Sequence, residues 1–504
     1  MARRNPERVR ILAATLLGLG VLSGCAVGPR YAKPTAPVPP AYKEVPPGWK
    51  TAQPSDSIAK GKWWEIYQDP QLNALEEKVA VSNQTLKASV AQFEQARALV
   101  RQLRADYYPT VTAGGTASRS HLSQNRPLTS TSSQQTYTDL QIPVAGVSYE
   151  PDLFGRVHKT VEEARSNAQA SAGDVESISL SLHAELASDY FQLRTLDAEE
   201  QLLRDTVDAY QKALELTQNR YAGGVASGVD VAQAQTQLET TRAQMIDLQV
   251  ARAQFEHAVA VLVGEPASTF SLSFAPWRTP PPVIPAGVPS DLMERRPDVA
   301  AAERRVAAAN AGIGIARTGY FPIFNIFGSG GFESSTITNL ITGPSGFLSA
   351  GASAVVTAFD VGRRRAISDE AKAAYDQSVA EYRQTLLTAF QEVEDNLAAL
   401  RILEQEAKTQ ADAVAASQHS LDLSTTRYKG GVTTYLEVTT AQEIALSDER
   451  VAVEILSRRM TASVQLIQAL GGGWDAGNLN KIQMTSTPSP LAHPTTATEV
   501  AAQP

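Results

Sequence analysis

The chain has 504 residues, 43% hydrophobic and 19% charged, with a formal charge of −8, which is long enough for more than one core. That acidic balance argues against a nucleic-acid partner, which would select a basic face. The single cysteine excludes a disulfide within the chain.

Arg3, Arg4, Arg8 and Arg10 open the chain, Ile11 to Leu22 form an apolar run, and Leu22-Ser23-Gly24-Cys25 closes it. Residues 1–24 therefore have the layout of a secretory signal peptide. The apolar run falls short of the roughly 20 residues a retained membrane helix needs. Cys25 stands where lipidation would make it the first mature residue; the plain alternative is a small residue beside a cleavage site. Cleavage there removes four Arg and one Glu, leaving 41 basic and 52 acidic residues and a charge of −11. Residues 25–65 begin AVGPRYAKPTAPVPPAYKEVPPGW after the cysteine, too rich in proline for a helix. They are expected to form an extended, lipidated tether to the body.

The body is duplicated. RADYYP (Arg104 to Pro109) matches RTGYFP (Arg317 to Pro322) at an offset of 213. Gly155-Arg156 matches Gly362-Arg363 at 207, as do the two Arg-Tyr-x-Gly-Gly-Val phrases and the pairs Val263-Gly264 and Leu470-Gly471. The segment between the Pro and the Gly-Arg has therefore lost six residues in the second copy, a change typical of loops. The first repeat is assigned to residues 66–274, a proline-punctuated linker to 275–291, and the second repeat to 292–474. A polar tail, 475–504, has the composition of a disordered segment.

Each repeat is predicted to run helix, two strands, long helix, tight turn, helix. Residues 71–105 and 293–317 carry helical periodicity. The strands are expected over about 109–155 and about 322–359. The long helices are expected from about Arg156 to Arg220 and from about Arg363 to Arg427, each about 100 Å long at 1.5 Å per residue. Such length suggests a coiled coil, a membrane span or a helical repeat, and charges throughout exclude the span. Apolar residues recur in steps of three, four and seven: Ile178, Leu182, Leu186, Leu193, Leu196, Leu203, Val207, Tyr210, Leu214 and Tyr221 in one helix. Val379, Leu386, Phe390, Val393, Leu397, Leu400, Val414, Leu421 and Tyr428 do so in the other. The remaining faces are largely Ala, Gln, Ser and Thr, which suits helices lining a wet lumen.

The intervening segments alternate with period two. Val111, Ala113 and Ala117 share one face, and Thr110, Thr112, Thr116 and Ser118 the other. Leu348, Ala350, Ala352, Ala354, Val356 and Ala358 oppose Ser349, Gly351, Ser353 and Thr357. Tyr107, Tyr108, Tyr320 and Phe321 sit at the strand entries, where an aromatic girdle would lie. Either these strands cross a membrane or they form a soluble sheet packed on helices; the small, uncharged polar faces favour the barrel. Four strands cannot close a barrel in lipid, so several chains must contribute.

In each doubled phrase, Gly223-Gly224 and Gly430-Gly431 permit the positive φ values that end and reverse a helix. Arg220 and Arg427 are placed to cap the last carbonyls of their helices, or to meet an acidic partner. Asp230 near the start of the next helix is favoured by the helix dipole. It is either turn chemistry or part of a gate.

The residues that now carry the most information are LSGCAVGPRYAKP (22–34), ERRPDVAAAERRVAAANAGIGIARTGYFP (294–322), FDVGRRR (359–365) and the two Arg-Tyr-x-Gly-Gly phrases. Over about residues 22–474 the chain resembles the outer-membrane factor family, the TolC-like channels, in its lipid-anchored branch. The resemblance implies a mainly α fold with a membrane β-barrel: a duplicated helix-strand-strand-helix-helix unit, a long coiled-coil tunnel, and four strands per chain closing in a homotrimer. It implies the outer membrane of a Gram-negative bacterium, with the helical tunnel in the periplasm. It implies an exit duct passing small molecules from an inner-membrane efflux pump through a periplasmic adaptor (membrane fusion) protein. Ala26 in place of Asp fits the outer membrane. By the same resemblance the turns, with Arg220, Tyr221, Gly223, Gly224, Arg427, Tyr428, Gly430 and Gly431, dock the adaptor. Asp230, Leu436, Glu437 and Thr440 then surround the periplasmic aperture. Leu436 matches a position that forms an apolar ring in relatives, and Thr440 one where relatives often carry Asp; Glu437 stands beside it as an alternative source of charge.

A coiled-coil lipoprotein tether without a pore would explain the lipid, the heptads and the tail, but neither the alternating segments nor the duplicated turns. An enzyme lacks support: histidines at 121, 158, 183, 257, 419 and 493 form no His-Glu-x-x-His, and no phosphate-cradling Gly-Lys-Ser/Thr loop is present. No catalytic residue, cofactor site or metal site is expected.

Overall fold

The structure, a computed structural model, describes residues 27–36, 38–44, 62–123, 136–284, 295–472 and 474. Cys25 and the segments 1–24 and 475–504 lie outside the described residues. A short 3-10 turn (Trp63–Tyr67) leads into α1 (Pro70–Ser82) and α2 (Gln84–Arg104). Strands β1 (Thr110–His121) and β2 (Thr136–Tyr149) follow, then α3 (Arg156–Ala222) and α4 (Gly228–Leu262). The second repeat has α5 (Pro297–Thr318), β3 (Ile323–Ser334), β4 (Gly346–Val355), α6 (Arg363–Lys429) and α7 (Tyr435–Ala469). Both long helices have 67 residues. No helix among the described residues is long and apolar enough to cross a membrane.

The helix expected over 71–105 is two helices, broken at Asn83. Asn83 leaves helical geometry (ψ 127°), and its Oδ1 accepts from Leu86 N to start α2. Its Nδ2 donates to Leu262 O, at the end of α4. The second repeat has the same joint. Arg296, 213 positions later, precedes α5 and donates to Ala469 O, at the end of α7. Arg296 is also held bidentately by Asp298 and by Glu392 at 2.6 Å. Past each joint comes a glycine at positive φ, Gly264 (74°) and Gly471 (91°). A Cβ at Gly264 would stand 2.6 Å from Ser82 O, and one at Gly471 2.1 Å from Arg295 O. Ser82-Asn83 with the Val263-Gly264 pair, and the Arg-Arg-Pro-Asp motif with the Leu470-Gly471 pair, are therefore the clasps that close the two repeats.

The proline-rich strap holds the second long helix where α1 holds the first. Gln71 of α1 accepts from Arg194 of α3 at 2.6 Å; Arg401 of α6, 207 positions on, is paired instead with Glu44. The strap is laid along the body: Asn310 donates to Pro29 O, Tyr31 to Glu303, and Arg383 to Thr35 O. The amides of Lys43 and Glu44 both donate to Glu394. Close to the strand end, Val27 N donates to Phe154 O.

The four strands form one antiparallel sheet in the order β1-β2-β3-β4. The register of β2 slips against both neighbours between Gln141 and Ala145, so the surplus residue lies in β2. Pro143, which lacks an N–H, falls in that bulge. Part of the length difference between repeats is thus in a strand: β2 has 14 residues and β4 has 10. Val356 and Ala358, expected on β4, lie beyond its end, because the chain already turns into α6 through Val361 and Gly362 at φ 54° and 85°. Apolar side chains on these strands are bare in the single chain, Val111 at 70% and Leu348 at 88% exposure.

The heptad seam is where the body packs. Leu182, Leu186, Leu193 and Leu203 of α3 and Leu386, Val393 and Leu397 of α6 are buried. Each such side chain contributes about 1.5–3 kcal/mol. Beside them, Glu76 and His183 meet at 2.6 Å under a stacked Trp64. Burial raises the Glu76 carboxyl and lowers His183 to about 4, which pushes both groups towards their neutral forms.

Candidate functional site at the helical turns

The end of the molecule opposite the strands is built from the two copies of the turn. Helix α3 stops at Ala222 and α6 at Lys429. In each, the first glycine keeps a negative φ (Gly223 −80°, Gly430 −75°), and the second alone takes the left-handed value (Gly224 72°, Gly431 75°). The reversing bonds also match: Gly224 N donates to Tyr221 O and Val225 N to Arg220 O, as Gly431 N does to Tyr428 O and Val432 N to Arg427 O.

The side chains break this symmetry. Neither arginine caps its own helix. Arg220 Nη1 donates to Lys429 O of the other hairpin at 3.0 Å, and its guanidinium lies 4.8 Å over the Tyr428 ring. Arg427 folds back onto Glu437 of its own hairpin at 3.0 Å. Glu437 also accepts from Thr433. In the first repeat the matching acid is Asp230, which accepts from Ser227 N at 3.0 Å while Ser227 Oγ accepts from Asp230 N. That capping box occupies Asp230 locally. Thr434, which matches Ser227, makes no such cap.

The hairpins are glued by a small core of Tyr210, Leu214, Ala234, Leu238, Tyr428, Tyr435 and Val438. Tyr428 is 4% exposed and meets Tyr435 edge-on at 5.2 Å. Burial pushes the Tyr435 hydroxyl up to about 12, so it stays neutral. Tyr210 donates to Gln442 O at 3.3 Å, tying α3 to α7. Tyr221, expected on the seam, is instead 56% exposed. Leu436 sits between buried Tyr435 and Val438 on the first turn of α7 and is 57% exposed. Thr440 is exposed and donates to Leu436 O at 3.0 Å.

Residues 220, 221, 223, 224, 230, 427, 428, 430, 431, 436, 437 and 440 thus all fall at one end, on or next to the two turns. Ser227, Thr433, Tyr435 and the Lys429 carbonyl were not singled out from the sequence. Ser227 had a signal, the Ser-x-x-Asp spacing of a capping box; the crossing of Arg220 had none, because its acceptor lies 209 residues away.

The family model described as outer membrane efflux protein matches residues 75–265 and 288–472. A probable efflux pump outer membrane protein, TtgC of Pseudomonas putida, is 32% identical over 489 residues, covering 95% of this chain and 100% of that protein. Outer membrane protein OprJ of Pseudomonas aeruginosa is 32% identical over 92% of this chain and 96% of its own length. Among solved structures, the outer-membrane channel OprN aligns at a TM-score of 0.81 with 28% identity, over 89% of this chain and 100% of its own.

Proposed function

This chain belongs to the outer membrane efflux protein family, and from that premise we propose how its parts serve a duct. It is an outer-membrane efflux channel, a transport duct and not an enzyme. The finer reading is a homotrimer in which three four-stranded sheets close a twelve-stranded barrel and the six hairpins form a periplasmic tunnel. The observation that carries it is the sheet order: β1 and β4 each have one neighbour, and an open edge is not stable in lipid.

In this reading Cys25 is lipidated, and the strap leading from it is fixed beside the strand ends by Val27. The turns, with their exposed backbone and their cationic Arg220 and Arg427, face a periplasmic adaptor that connects to an inner-membrane pump. Leu436 narrows the aperture, because its side chain is bare while Tyr435 and Val438 beside it are buried. Asp230 is spent as a cap, and Glu437 is the acid nearest Leu436. Carboxylates around a pore favour cations, so weak cation selectivity follows, and Glu437→Gln reduces it. Limited proteolysis of intact outer membranes separates a duct from a pore-free tether. Residues 110–150 are protected in a barrel and cleaved in a tether.

A further inference from the structure

We propose that Arg427 crosses to the next copy of this chain, where its guanidinium covers Tyr221 and donates to the Ala222 carbonyl. This rests on the homotrimer reading above. The template is inside the chain. Arg220 lies over Tyr428 and donates to Lys429 O. Moving each of these residues by the repeat offset of 207 turns Arg220 into Arg427, Tyr428 into Tyr221 and Lys429 into Ala222. One chain can satisfy the contact once, with its first hairpin as donor and its second as acceptor. In a ring of alternating hairpins the second hairpin of each chain meets the first hairpin of the next, and the same contact is available there.

Both halves of that second contact are exposed. Tyr428 has Tyr435 against one side and Arg220 over its face, and is 4% exposed. Tyr221 has Gly228 where Tyr428 has Tyr435, and it is 56% exposed. It is a large aromatic ring at the tip with its face bare. The side chain of Arg427 is 56% exposed and held by Glu437 through Nη1. An arginine has five donors, so one carboxylate does not exhaust it. Val225 and Val229 on the first hairpin, and Leu423, Val432 and Leu436 on the second, are likewise more than half exposed. They supply the apolar surroundings in which a cation–aromatic contact gains strength.

The occupant of Tyr221 is therefore a second copy of this chain, and the ring is stitched six times by one device. Three stitches are within chains through Arg220, and three are between chains through Arg427. The unequal acids set the difference in strength: Asp230 is closed into its cap and leaves Arg220 free, whereas Glu437 shares Arg427.

The test uses full-length protein in detergent, with its oligomeric state read by native mass spectrometry in the same sample. The photo-crosslinker p-benzoylphenylalanine is placed at Tyr221 and, separately, at Tyr428. At Tyr221 it is expected to give dimer- and trimer-sized bands on a denaturing gel, with the adduct mapped to residues 423–432. At Tyr428 it is expected to give adducts near Arg220 without a change in band size. Arg427→Gln and Tyr221→Ala should each raise the oligomer dissociation rate, by about tenfold when three cation–aromatic contacts are lost together. The double variant should be little worse than either single one. An intact oligomer with Tyr221 adducts only elsewhere, or with multiplicative effects of the two substitutions, overturns the contact and leaves the trimer standing. A monomer in native mass spectrometry overturns both.

Discussion

At the end of α3, Arg220 reaches across to the other hairpin; at the end of α6, Arg427 turns back to its own. The backbones of the two turns match to within a few degrees of φ at both glycines. Just after the turn the acid differs by one methylene and the cap residue by one methyl, Asp230 and Ser227 against Glu437 and Thr434. Asp230 is short enough to close a capping box with Ser227, while Glu437 reaches past an uncapped Thr434 to Arg427. The shared phrase sets where the chain reverses. The residues just after it decide what each arginine holds.

The same contrast between repeats orders the perturbations. The largest effect is expected at Arg194, which is 1% exposed and held by Asp197, Ser273 O and Gln71. Arg194→Ala leaves Asp197 buried with one partner fewer and is expected to cost about 3–5 kcal/mol in thermal unfolding. Its repeat partner Arg401 faces the strap through Glu44 at the surface, and Arg401→Ala should shift the melting temperature far less. Next comes the clasp against the tip. Gly471→Ala drives a Cβ onto the Arg295 carbonyl and should cost about 3 kcal/mol or more. Gly224→Ala meets open space and should cost only the left-handed penalty of about 1–2 kcal/mol.

Smaller still is the cap. Thr434→Ser with Glu437→Asp gives the second turn the first turn's box and should stabilise the start of α7 by about 1 kcal/mol. Slower amide exchange at residues 435–437 is the readout. Asp230→Ala should have the opposite effect at the start of α4. The smallest change is a pH dependence. Burial, with Glu185 nearby, raises Asp189 to about 6, and the matching residue in the second repeat is Asn396. A raised carboxyl holds its proton in the fold, so stability falls as pH rises from about 4 to about 6. Asp189→Asn should therefore raise the melting temperature at pH 7.5, and the advantage should vanish near pH 3.5.

Much of the architecture was legible because it rests on periodicity. The long helices, expected over about 156–220 and 363–427, run two residues further at the C-terminal end. The alternating segments form one antiparallel sheet. Local chemistry was readable only in part. Asn83 and Pro143 were passed over in the sequence, yet they mark the break before α2 and the bulge in β2. The strap's hold on Arg401 and the crossing of Arg220 join residues hundreds of positions apart, with no repeat pattern to announce them. At the tip the sequence located every named residue, but the division of labour between Asp230 and Glu437 depends on side-chain length in three dimensions.

The reading proposed above is a passive exit duct narrowed at the second turn by Leu436. Single-channel recording from the purified oligomer in a planar bilayer tests it. The account predicts a measurable conductance that rises when Leu436 is replaced by alanine. An intact oligomer that shows no conductance under any condition, with or without Leu436→Ala, would contradict it.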